Sequence, residues 1–204
     1  MKHERSSNFE LLRLLCIFGI LVMHTFAGID TAASPGNMLA NVFANSLFNT
    51  GVTCFILLSG YFGIRFDLKK LIGLDLMVIF FTLLGTVALG DFGSKDLIKS
   101  CIPVLSRRYW FITCYFVLFI LAPFLNQVAE RLEREHFRRL LLLLLLVFSL
   151  IPTVTTYDVM QDAGKGLAHF VMIYLLGRYL ARYHTGHCSK KRLLLGITGS
   201  TALI

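Results

Sequence analysis

Long apolar stretches alternate with short polar ones along the whole chain. A helix that crosses a bilayer needs about 20 mostly apolar residues, because each residue rises 1.5 Å and the hydrocarbon core is about 30 Å thick. Residues 11–29 meet that length, broken only by Arg13 and His24. Residues 42–63 form a second candidate. Residues 71–90 form a third, with Asp75 near its start. Residues 110–128 form a fourth and hold no charge. The fifth, 140–154, opens on the leucine run Leu140 to Leu146, passes Pro152 and is short for a span. The sixth is 167–181. A seventh apolar run, 193–204, reaches the last residue. As a helix it rises only about 18 Å, so the chain is expected to stop inside a membrane helix. Residues 91–108 differ in kind. Leu97, Ile98, Cys101, Ile102 and Leu105 recur at helical spacing between charged residues, which predicts an amphipathic surface helix bent by Pro103.

The expected fold is therefore all-α: a polytopic integral membrane helix bundle of six transmembrane helices plus the start of a seventh. Residues 1–204 are read as a single domain, the N-terminal part of a longer one. Composition closes the alternatives. Hydrophobic residues make up 56% of the chain and charged residues 16%, against roughly 25% charged in soluble domains. A soluble domain of this length has too little interior for that apolar surface, and disorder requires the opposite composition.

The formal net charge is +8. In a soluble protein that suggests an anionic partner such as nucleic acid. Here most basic residues fall in alternate connections; the exception is 91–108, with Lys95, Lys99, Arg107 and Arg108, the stretch read as a surface helix. Lys2 and Arg5 precede the first span. Arg65, Lys69 and Lys70 follow the second. Arg131, Arg134, Arg138 and Arg139 follow the fourth, and Arg182, Lys190, Lys191 and Arg192 the sixth. Connections on the cytoplasmic side carry such an excess. The N-terminus is accordingly placed in the cytoplasm of a multi-pass membrane protein, and no nucleic acid is needed. Glu130 with Arg134 and Glu135 with Arg139 are i,i+4 pairs in the favourable order, which predicts a solvated helix extension after the fourth span. The five cysteines show no CxxC pairing, so neither a disulfide framework nor a zinc site is supported. The run His184, His187 and Cys188 reads as a solvated turn beside basic residues. No metal site and no permanently bound cofactor are expected.

Ionisable side chains inside a bilayer are costly and are functional candidates for that reason. Arg13 and His24 are eleven residues apart. At 100° per residue the net rotation is about 20°, and the axial separation is about 16 Å. Both therefore lie on one helix face. Arginine keeps its charge and suits phosphate or carboxylate, whereas histidine exchanges a proton near neutral pH. Structural roles remain open on spacing alone: Arg13 can snorkel to headgroups, and His24 can be held in helix packing.

The segment Glu10-Leu-Leu-Arg13, ten residues and His24 resembles the opening signature of the membrane acyltransferase 3 family. Three further stretches are similar: Gly51 to Tyr61 with its Ser59-Gly60-Tyr61 end, Tyr109-Trp110-Phe111-Ile112 with Tyr115 and Ala122 to Asn126, and Tyr174-Leu-Leu-Gly177-Arg178-Tyr179. The resemblance implies transfer of an acyl group, usually acetyl, from cytoplasmic acyl-CoA to a hydroxyl of a sugar or cell-envelope polysaccharide. On this chain it implies catalytic roles for His24, as the base, and Arg13. Arg13, Arg65, Lys69 and Lys70 would bind the CoA phosphates, and Trp110 and Tyr115 the acceptor. Its partners would be acyl-CoA, a glycan acceptor and the lipid bilayer. Two other classes fit the residues: a proton-coupled transporter of a small anion using the same Arg13–His24 line, and a non-catalytic membrane fragment.

Overall fold

The computed structural model describes residues 7–88, 94–104, 106, 109–155, 160 and 166–183. Among these residues every regular element is helical and no strand occurs. Five helical segments are long and apolar enough to cross a membrane: Ser7–Phe26, Pro35–Phe62, Leu68–Ala88, Trp110–Arg131 and Arg134–Thr155. The sixth expected stretch is present as a helix of 17 residues, Leu167–Tyr183. The seventh run, 193–204, and the run His184 to Cys188 lie outside the described residues. The described chain forms two compact units. One comprises the residues up to Leu58 together with those from Leu180, the other Ser59–Tyr179.

The first unit is a helical hairpin and the start of a third helix. Helix α1 spans Ser7–Ala27, α2 Pro35–Phe48 and α3 Thr50–Phe62. Leu11, Leu14, Phe18 and Leu21 make an exposed stripe along α1. Such a stripe suits lipid rather than water. Cys16 and Gly19 lie on the packed side. A Cβ on Gly19 would meet the Phe48 ring, and one on Gly51 would meet the Cys16 carbonyl, so α1 lies against α2 and the start of α3 at small residues.

The second helical stretch begins seven residues before the expected position 42. Ser34 accepts the Asn37 backbone N–H at 3.1 Å, and Pro35 occupies the first turn, a favourable helix start. Asn37, Asn41 and Asn45 repeat every fourth residue, and the first two precede the expected span. In the helix their amides donate to the carbonyls of Asp30 (2.9 Å), Phe26 (2.8 Å) and Asn41 (2.9 Å). With those bonds made, the stripe fits within an apolar segment.

The second unit holds α4 (Leu68–Ala88), α5 (Ser94–Cys101), α6 (Trp110–Arg131), α7 (Arg134–Leu145), α8 (Ile151–Thr155) and most of α9 (Leu167–Tyr183). Asp67 starts α4 by accepting the Lys69 N–H at 2.9 Å. Helix α5 ends at Cys101, two residues before Pro103, so proline follows the amphipathic helix instead of bending it. Its Ser100 is fully buried and bonds Thr86 of α4 at 2.8 Å.

The expected helix extension through Glu130 to Arg139 breaks at Leu132 and Glu133. Glu135 does bridge Arg139, at 3.4 Å, and also Arg138 at 2.9 Å. The fifth apolar stretch is not short. Helix α7 starts six residues before the leucine run, and a π-helical turn, Leu146–Leu150, joins it to α8. Pro152, in the first turn of α8, has no N–H to donate backwards. The wider turn beside it takes up the mismatch, as π-bulges do within α-helices.

Helix α9 lies at the centre of the second unit. Phe170, Met172, Ile173, Tyr174, Leu175 and Gly177 are all buried. Near its start Phe170 meets Trp110 and Phe111 of α6. Further along, Tyr174 meets Asn126 and Arg178 meets Glu130. The partners ascend in the same order along both helices, so α6 and α9 run in parallel.

Candidate functional site

The continuous helix α1 preserves the Arg13–His24 spacing. By the same 100° rule both residues lie roughly 60–80° around the helix from Cys16, on the flank of its packed side. Arg13 is half-buried and pairs with Glu10 at 3.2 Å. His24 is exposed. Both belong to the first unit.

The other expected residues belong to the second unit and form two groups. Arg65 lies on the connection between α3 and α4, with Lys69 and Lys70 in the first turn of α4, all three exposed. This places three cations within six residues. Trp110 and Tyr115 join one aromatic cluster. The Phe111 ring stacks on Tyr115 (centroids 5.9 Å apart, planes at 17°) and meets Phe170 edge-on at 5.6 Å. Trp110 contacts both Phe111 and Phe170. Aromatic faces of this kind offer a stacking surface for a sugar ring, and equally a well-packed helix contact.

A third group carries no expectation from the sequence. Where α3 ends, Gly63 has φ +72°, a conformation glycine adopts readily. The next residue, Ile64, is buried, so its backbone polar groups need partners. They come from two other helices. Ile64 N–H donates to the Tyr174 hydroxyl at 3.0 Å, and the Asn126 amide donates to the Ile64 carbonyl at 2.9 Å. Tyr174 in turn donates to Asn126 Oδ1 at 2.8 Å. The three bonds close a ring joining α6, α9 and the start of the basic connection. Helix α9 lies so close to α3 here that a Cβ on Gly60 would overlap the Tyr174 carbonyl.

Arg178, one turn beyond Tyr174, covers Gly63. A Cβ there would lie 2.6 Å from Arg178 Nη1. Nη2 pairs with Glu130 at 3.7 Å, and Nε is buried without an acceptor among the described residues. Thus the connection that bears Arg65 and leads to Lys69 and Lys70 in α4 starts on a fixed polar node. The available signal in the sequence was a polar residue inside an otherwise apolar span: Asn126 in the fourth and Arg178 in the sixth. His169, part-buried beside Phe170, is a further imidazole on α9. Among the described residues no three His, Cys, Asp or Glu side chains are grouped to hold a metal ion.

A family profile described as an acyltransferase domain matches residues 6–204. No curated protein and no solved structure matches the chain.

Proposed function

The chain belongs to the acyltransferase 3 family, and from that premise we propose that it is a membrane-embedded O-acyltransferase. The donor is cytoplasmic acyl-CoA, the group moved is acetyl, and the acceptor is a hydroxyl of a sugar or cell-envelope polysaccharide. The observation that carries this reading is the pair Arg13 and His24 on one unbroken apolar helix. An alcohol is a weak nucleophile until a base takes its proton. The His24 imidazole takes that proton as the oxygen attacks the thioester carbonyl. It returns the proton to the CoA sulfur when the carbon–sulfur bond breaks. Arg13, with Arg65, Lys69 and Lys70, draws the phosphates of CoA to one face of the membrane. Trp110 and Tyr115 present the sugar.

The proposed arrangement has six spans and the start of a seventh, with the N-terminus and the 63–70 connection in the cytoplasm of the inner membrane. Two facts support it. The end of α3, with Gly63 and Ile64, meets Asn126 and Arg178 near the ends of α6 and α9. Arg65, Lys69 and Lys70 start from that same end, in keeping with a cytoplasmic excess of positive charge.

Replacing His24 by Ala in the full chain is expected to leave its amount in the membrane unchanged and to abolish O-acetylation of the envelope glycan. NMR of the purified glycan reads this directly. An unchanged O-acetyl signal would remove His24 from the reaction.

A further inference from the structure

Arg178 has more hydrogen-bonding capacity than its surroundings use. A guanidinium carries five N–H donors in a planar fork. Its contact with Glu130, at 3.7 Å, is longer than a hydrogen bond. Its Nε is buried with no acceptor among the described residues. The side chain is only 21% exposed, so water replaces few of the missing bonds, whereas Glu130 is 67% exposed. A charged donor left in that state is costly, and the cost falls where the connection to Arg65, Lys69 and Lys70 begins.

We propose that Arg178 is a further binding residue for the donor, contacting a phosphate of acyl-CoA. The assignment rests on the function proposed above. A phosphate offers paired oxygens that match the guanidinium fork. Glu130 is the counter-ion while no donor is bound. Its exposure lets it return to water at little cost when phosphate takes its place. Gly63 lets the guanidinium lie against the backbone where the basic connection begins, because a Cβ there would crowd Nη1. Arg178, Arg65, Lys69 and Lys70 then act together on one substrate.

The test compares two donors in membranes carrying the full chain: acetyl-CoA, and acetyl-pantetheine, which has the same thioester arm and no phosphate. Arg178→Gln is expected to raise KM for acetyl-CoA about tenfold, the loss of a charge-assisted bond, and to leave KM for acetyl-pantetheine in place. Arg178→Lys recovers part of the loss. Glu130→Gln, which removes the competing carboxylate, lowers KM for acetyl-CoA severalfold and does not alter that for acetyl-pantetheine. An equal change with both donors, or no change with either, overturns the assignment; equal change places Arg178 on lipid phosphate or on the fold. If Arg178→Gln does not accumulate, Glu130→Gln decides, and a KM for acetyl-CoA that fails to fall overturns the proposal. Wild-type turnover of acetyl-CoA separates the two levels. Its absence overturns the function itself, whereas its presence with an unaltered donor preference in the variants removes Arg178 alone.

Discussion

At the scale of single residues, the consequential polar groups are of two kinds. Arg13 and His24 are visible along the sequence because charge interrupts an apolar run and their spacing sets one helix face. The roles of Tyr174 and Asn126 are not, because each acts on the backbone of Ile64, 110 and 62 residues away. Their contribution is measurable. Tyr174→Phe keeps the ring and removes the hydroxyl, leaving the Ile64 N–H without its acceptor. Thermal unfolding in detergent is expected to show a loss of about 1–3 kcal/mol, the cost of an unsatisfied buried group. Gly63→Ala combines a positive φ with a Cβ crowding Arg178. It is expected to cost about 1–3 kcal/mol by the same measurement. Loss of charge at Lys69 and Lys70 acts differently. Both side chains are exposed, so K69A/K70A is expected to keep its stability and to raise KM for acyl-CoA.

At the scale of elements, hydropathy located each helix but misplaced several boundaries. Helix α2 begins early because Ser34 caps it and its asparagines bond to nearby carbonyls. Helix α7 begins early because Glu135 joins the arginines of its first turns. In both cases polar residues enter a helix because local bonds satisfy them, which an apolar-run criterion does not weigh. Ser34→Ala is expected to destabilise the α1–α2 hairpin by about 1 kcal/mol, the usual worth of an N-cap. Hydrogen exchange is expected to rise in residues 36–38 before it rises elsewhere in α2. Uniform exchange along the helix would exclude a capping role. The α5 boundary has another cause. Burial of Ser100 against Thr86 fixes the end of the short helix, and Pro103 lies beyond it.

At the scale of the whole molecule, the testable property is sidedness. With the five native cysteines replaced by serine, Lys69→Cys is expected to react with a membrane-impermeant maleimide only when reagent reaches the cytoplasm. Asp30→Cys, in the short connection between α1 and α2, is expected to react from the opposite side. Reversed labelling would invert the proposed topology and place the acyl-CoA cations on the wrong face. The sequence by itself determined the class of the protein, its helical segments, the face shared by Arg13 and His24, and the alternation of basic connections. These follow from local periodicity, from the length a bilayer demands and from charge counted along the chain. Only the tertiary structure decided that Ile64 is held by Asn126 and Tyr174, that Arg178 covers Gly63, and that Trp110 and Tyr115 share one aromatic cluster. Those relations join helices distant in sequence. They depend on the crossing and register of packed helices, which no local pattern encodes.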